Sequence, residues 1–139
     1  MPADRLLHPK CGKSAKVSML TDLEFRVWVQ YLLCADDFGV MHATAVELQS
    51  KNLHLANRPT KQLSRCLDAL VKSGLLHRFE HQGQPYVFSH NWQQWQKVEY
   101  PRATDNPFPP DEALAVCDES TVRLLAKYPG GQRKDRRRA

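Results

Sequence analysis

No apolar run in this chain approaches the roughly 18 residues of a membrane-spanning helix, so no transmembrane segment is expected. The opening Met1-Pro2-Ala3-Asp4-Arg5 lacks the apolar core of a secretory signal. The four cysteines, Cys11, Cys34, Cys66 and Cys117, are widely scattered, which points to a reducing cytoplasm rather than a disulfide framework. No glycine-rich phosphate loop, no Ser-His-Asp or Cys-His set with a placed partner and no internal repeat can be found. An enzyme is therefore not expected, nor a cofactor. With 139 residues there is room for one domain of about 100 residues and flanking segments, but not for a second large domain.

Metal-ligand spacings are nearly absent. His8 and Cys11 stand three apart and His77 and His81 four apart. Along an extended strand, four residues span about 13 Å, too far to share one ion, so no metal site is expected. Asp36 and Asp37 have no third acid nearby in sequence, and a helix-to-strand turn accounts for them.

The positive charge that is present is unevenly placed. Of the net +5, Arg133, Lys134, Arg136, Arg137 and Arg138 against Asp135 supply +4, leaving +1 for the rest. Smaller basic clusters lie at Arg5, Lys10, Lys13 and Lys16 and along Arg58, Lys61, Arg65 and Lys72, whereas acidic residues gather at 111–119. A local patch matters more to a polyanion than a total does.

The most ordered pattern lies between Pro59 and Ser89. Leu63, Cys66, Leu67, Leu70 and Val71 recur at helical spacing, Thr60 is placed to cap the helix, and Gly74 stands where a left-handed cap ends it. The opposite face carries Lys61, Gln62, Ser64, Arg65, Asp68 and Lys72. Leu75–Glu80, a turn over 81–85 and Tyr86–Ser89 then read as a hairpin. Upstream, Thr21-Asp22-Leu23-Glu24 is a capping box opening a helix to about Cys34. Val40-Met41-His42 reads as a short strand, and 44–52 as a weakly patterned helix using Ala45, Val46 and Leu48.

Helix, strand, helix, helix, strand, strand is the order of a winged helix-turn-helix. The fold expected is thus α+β: three helices with a small antiparallel β-hairpin wing, plus an extended C-terminal arm. Its divisions are a basic N-terminal arm (1–19, irregular), the winged-helix domain (20–98), a proline-rich extension with short helices (99–131) and a basic disordered tail (132–139). Trp92 and Trp95 predict a further helical turn over 91–97. Leu114, Val122, Leu124 and Leu125 predict one or two short helices within 111–127.

Three stretches, Leu32-Leu33-Cys34-Ala35-Asp36-Asp37-Phe38-Gly39-Val40, Leu67-Asp68-Ala69-Leu70-Val71-Lys72-Ser73-Gly74-Leu75-Leu76 and Tyr86-Val87-Phe88-Ser89-His90-Asn91-Trp92 with Gln96, carry a resemblance. Over roughly residues 16–110 the chain resembles the N-terminal winged-helix domain of bacteriophage replication initiators, or replisome organisers. The resemblance implies origin-DNA binding and recruitment of replication proteins, the latter through a separate C-terminal region; here 29 residues follow Pro110.

On this reading the partner is double-stranded DNA, with single-stranded DNA, replication proteins and a second copy of the chain left open. The DNA-contacting residues are Thr60, Lys61, Gln62, Ser64, Arg65 and Lys72 on the reader helix, and Arg78, His81 and Gln82 in the wing. Lys13, Lys16 and Arg133, Lys134, Arg136, Arg137 and Arg138 add sequence-independent phosphate contact. A solvated helix face, an ordinary polar hairpin and a solubilising tail would carry the same residue types. Trp28, Trp92 and Trp95 have the composition of a base-stacking platform, but tryptophan more often seals a core. A phage transcriptional regulator and a winged-helix protein-interaction module remain as rival functions.

Overall fold

The computed structural model describes residues 5–53 and 55–128. After a 3-10 turn at Pro9–Gly12 come helices α1 (Ala15–Ser18) and α2 (Asp22–Cys34), strand β1 (Met41–His42), and helices α3 (Ala45–Lys51) and α4 (Thr60–Lys72). Strands β2 (His77–His81) and β3 (Gln84–Phe88) follow, then helices α5 (Trp92–Trp95), α6 (Asp111–Leu114) and α7 (Glu119–Leu125). The described residues are α+β, with one antiparallel sheet ordered β1-β3-β2 and seven helices: the three of the expected winged helix (α2–α4), the helical turn and two short helices expected after it (α5–α7), and α1, in a segment read as irregular. The basic tail, from Arg133 to Arg138, lies outside the described residues.

Helix α2 opens with the reciprocal box its sequence predicts. Thr21 Oγ1 accepts from the Glu24 amide at 3.2 Å, and Glu24 Oε1 accepts from the Thr21 amide at 3.0 Å. Val27, Trp28, Tyr31 and Leu32 turn inward and are buried, as are Leu63, Cys66, Leu67 and Leu70 on α4, the helix in closest contact with α2. The start of α4 departs from expectation. Thr60 is its first helical residue and not its cap; Pro59 precedes it, and the Pro59 carbonyl accepts from the amides of Gln62 and Leu63 at 3.0 and 3.2 Å. Proline's fixed φ, −59° here, holds that carbonyl in place without a capping side chain. At the far end Gly74 adopts φ +85°, and its amide donates to the Val71 carbonyl at 3.1 Å.

In α3, Ala45 and Leu48 are buried while Val46, expected inside, is 65% exposed. A seven-residue helix presents one narrow inward stripe, and a side chain one position along is rotated about 100° from it. The hairpin is also tighter than its sequence suggests. His81 still pairs with Gln84, so only Gln82 and Gly83 form the loop, with φ 52° and 76°. Positive φ at both positions gives the two-residue turn whose twist matches the strands it joins.

One interior unites most of the chain. Trp28 lies against Tyr31 (centroids 5.5 Å apart) and edge-on to Trp95 (5.2 Å), and Tyr31 meets Trp92 at 5.6 Å. All three tryptophans are buried, so none stands ready to stack on an unpaired base. Cys11 and Val17 from the leading segment join this core, as do Phe108, Leu124, Leu125 and Tyr128 from the C-terminal part. The segment before Leu20, expected to be irregular, is therefore anchored by two apolar side chains and by Ser14, which caps α1 through the Val17 amide. Residues 99–110 form no helix or strand; the segment is largely exposed up to Asp105 and buries Pro107, Phe108 and Pro109.

Candidate nucleic-acid interface

Because α4 buries one stripe, its remaining positions must face outward. Thr60, Lys61, Ser64, Arg65 and Lys72 are exposed, and Gln62 is partly covered. Lys61, Arg65 and Lys72 make no ion pair among the described residues. Asp68 shares the face, but it is answered by the hairpin: Arg78 Nη2 donates to its Oδ1 at 2.9 Å. That bond ties β2 to the middle of α4 and commits Arg78, expected to contact DNA, to a protein partner. His81 and Gln82 stand exposed at the hairpin tip.

The remaining basic residues predicted for contact form a separate group. Lys16 lies with its Nζ 2.9 Å from the point a Cβ on Gly74 would occupy, at the C-terminal end of α4. At 1.5 Å rise per residue, that end is about 20 Å along the axis from Lys61. Lys13 and Lys16 instead line a cleft of about 430 Å³ with Lys10, His90, Asn91 and Trp95. Beneath it His77 Nε2 and His90 Nδ1 lie 2.9 Å apart. Burial, then the mutual proximity of the rings and Lys16, push the His77 pKa below its ordinary value. Burial and Lys16 do the same to His90, with Asp118 pulling the other way. Both shifts favour the uncharged imidazole over the imidazolium. His77 thus pairs with His90 and not with His81 across the strand, and among the described residues no group of three or more His, Cys, Asp or Glu could hold a metal ion.

The turn after α2 holds a third polar cluster, and it is structural. Asp36 Oδ1 accepts from the amides of Phe38 and Val40, both at 2.9 Å, while its Oδ2 accepts from Thr104 Oγ1 at 2.7 Å and Asn106 Nδ2 at 3.0 Å. Burial raises the Asp36 pKa, against the pull of those four donors. Asp37 is bridged by Arg5 at 3.0 Å and by Arg102 at 3.1 Å. Burial alone would raise its pKa, but Arg102 and Arg5 outweigh it and hold the carboxyl below the usual range. Trp92 Nε1 donates to the Asp37 carbonyl at 3.0 Å. Gly39, at φ +85°, lies against the same indole; an added Cβ would meet the ring at 2.8 Å. These contacts clamp the proline-rich segment onto the turn.

Sequence reasoning placed the α4 face and hairpin tip but missed two groupings. The 3-3 spacing of Lys10, Lys13 and Lys16 is visible in sequence, yet nothing local brings His90 and Asn91 to it. Arg5 and Arg102 lie 32 and 65 positions from Asp37, beyond any short-range pattern. No helix among the described residues is long and apolar enough to cross a membrane. No protein-family model, no curated protein and no solved structure matches the chain.

Proposed function

We propose that the chain is a winged helix-turn-helix DNA-binding protein of phage or prophage origin that acts in replication initiation. The observation that carries this reading is the outer face of α4. Lys61, Ser64 and Arg65 stand in solvent without ion-pair partners among the described residues, beside a hairpin fixed to the same helix by Arg78 and Asp68. Element order and the β1-β3-β2 sheet support the fold, since a short strand after the first scaffold helix is what a wing pairs with. Lysine and arginine would position the protein on phosphates, and Gln62, Ser64 and Arg65 would reach base edges in the major groove. The replication role rests on the resemblance over residues 16–110. Occupancy at an origin rather than at a promoter separates that role from transcriptional regulation.

The direct test is fluorescence anisotropy of a labelled generic duplex across a salt series, for the intact chain and for one ending at Gly131. Binding that survives truncation and weakens with salt supports contact by the folded part. Loss of all binding on truncation assigns the affinity to the basic tail and overturns the α4 reading. A protein-interaction module is the second reading, favoured by the groove that Leu20 lines together with Phe25, Val29 and Leu33 of α2. Nuclease-resistant capture of one defined protein, with no duplex affinity at low salt, would establish it instead.

A further inference from the structure

We propose that the cleft between the Lys10–Lys16 segment, the C-terminal end of α4 and α5 is a phosphate-binding site, separate from the α4 face. Its lining is one-sided in charge. Three lysines border it and no carboxylate does. Lys10 is held as a fixed positive wall, because its Nζ donates to Gln94 Oε1 at 2.7 Å and sits 5.2 Å from the Trp95 ring centroid. Lys16 rests against Gly74, where its ammonium offsets the negative end of the α4 dipole that would otherwise repel an anion. Lys13 is exposed and makes no ion pair among the described residues.

The neutral groups favour the same ligand. Asn91 Oδ1 accepts from Ser89 Oγ at 2.8 Å and from Trp95 Nε1 at 3.0 Å, which fixes the amide orientation and leaves its NH₂ as a donor. His90 uses Nδ1 toward His77, so Nε2 is the nitrogen left for a ligand. The acid whose charge reaches His90 is Asp118, and its oxygens already accept from the Thr121 amide at 2.9 Å, Ser120 Oγ at 3.2 Å and Gln94 Nε2 at 2.6 Å. The Asn91 and Asp118 acceptors are thus used internally, while the Asn91 NH₂ and the Lys13 ammonium remain as donors, the polarity that a phosphate group requires. Its volume, about 430 Å³, exceeds that of a bare phosphate and leaves room for a sugar attached to it. Two sources supply the group: a free mononucleotide, or the backbone of a nucleic acid.

The test follows the Trp95 indole and His90 ring signals by NMR during titration of the full chain. Three probes are used in turn: inorganic phosphate, deoxyadenosine monophosphate and a short duplex. Saturable shifts at both residues are expected, weakened about tenfold or more in K13Q/K16Q and retained in K97Q, a single-charge control outside the cleft. A response to the mononucleotide identifies a small-molecule site; a response to duplex alone identifies backbone contact. Silence toward all three probes, or shifts unchanged in K13Q/K16Q, overturns the proposal. The α4 reading fails separately. In K61A/R65A the cleft should still respond to its small probe whether or not duplex affinity changes.

Discussion

At the turn after α2, the carboxylates of Asp36 and Asp37 are drawn against the protein and answered by two arginines, a threonine, an asparagine and three backbone amides. Along the outer face of α4, Lys61, Arg65 and Lys72 stand in water with no ion-pair partner among the described residues. Charges of the first kind hold segments together and lose most when one partner is removed. Charges of the second kind add little to folding and are available to a polyanion. Substitutions at the two places should therefore separate cleanly, the first in stability and the second in binding.

The largest effect is expected beneath the turn. Trp92→Ala removes a fully buried indole, its edge contact with Tyr31 and its hydrogen bond to the Asp37 carbonyl. We expect a loss of about 3–5 kcal/mol in urea unfolding. Asp37→Asn keeps the shape but weakens the bonds from Arg5 and Arg102, and should cost about 2 kcal/mol by the same measurement. If either variant lost duplex affinity without losing stability, the division between a structural turn and a binding face would be broken.

The His77–His90 pair gives a smaller, pH-dependent effect. Both pKa values are lowered in the folded chain, so between the folded values and about 6.5 the unfolded chain binds more protons. Their contribution to stability is present above that range and is lost as pH falls through it. Thermal midpoints at about pH 7.5 and about pH 5.5 should differ by a few degrees, and the difference should shrink in H77N/H90N. Smallest of all is the Arg78–Asp68 bridge, which is solvent-exposed at both ends. Asp68→Asn should change stability by less than about 1 kcal/mol while, on the proposed reading, raising duplex affinity by roughly two- to threefold, since it removes the negative charge from the outer face of α4 and frees Arg78.

Local signals were the legible ones. The capping box at Thr21 and Glu24, the buried stripe from Leu63 to Leu70 and the glycine stop at Gly74 are each written within a dozen residues, and each forms as written. What escaped was set by distant partners or by competition. The Asp37 clamp needs Arg5 and Arg102, 32 and 65 positions away on either side. The core claims Cys11 and Val17 from a segment whose proline and glycine argued for irregular backbone. Pro59 displaces Thr60 as the cap because its carbonyl was already in position. Gln82 accepts a left-handed conformation that residue preference alone would not assign it, since the flanking strands dictate the turn. In the candidate site, the exposed α4 residues could be read from periodicity. The commitment of Arg78 to Asp68 and the split of Lys13 and Lys16 from the rest could not, because both depend on how the hairpin and the leading segment fold back onto α4.

The most direct measurement compares wild type with K61A/R65A on a labelled duplex across a salt series by anisotropy, with urea midpoints taken on the same samples. A weakening of about tenfold or more is predicted, together with a drop of roughly two in the slope of log affinity against log salt, at stability unchanged within about 0.5 kcal/mol. Equal affinity and equal slope in the two proteins would contradict the assignment of the α4 face to DNA.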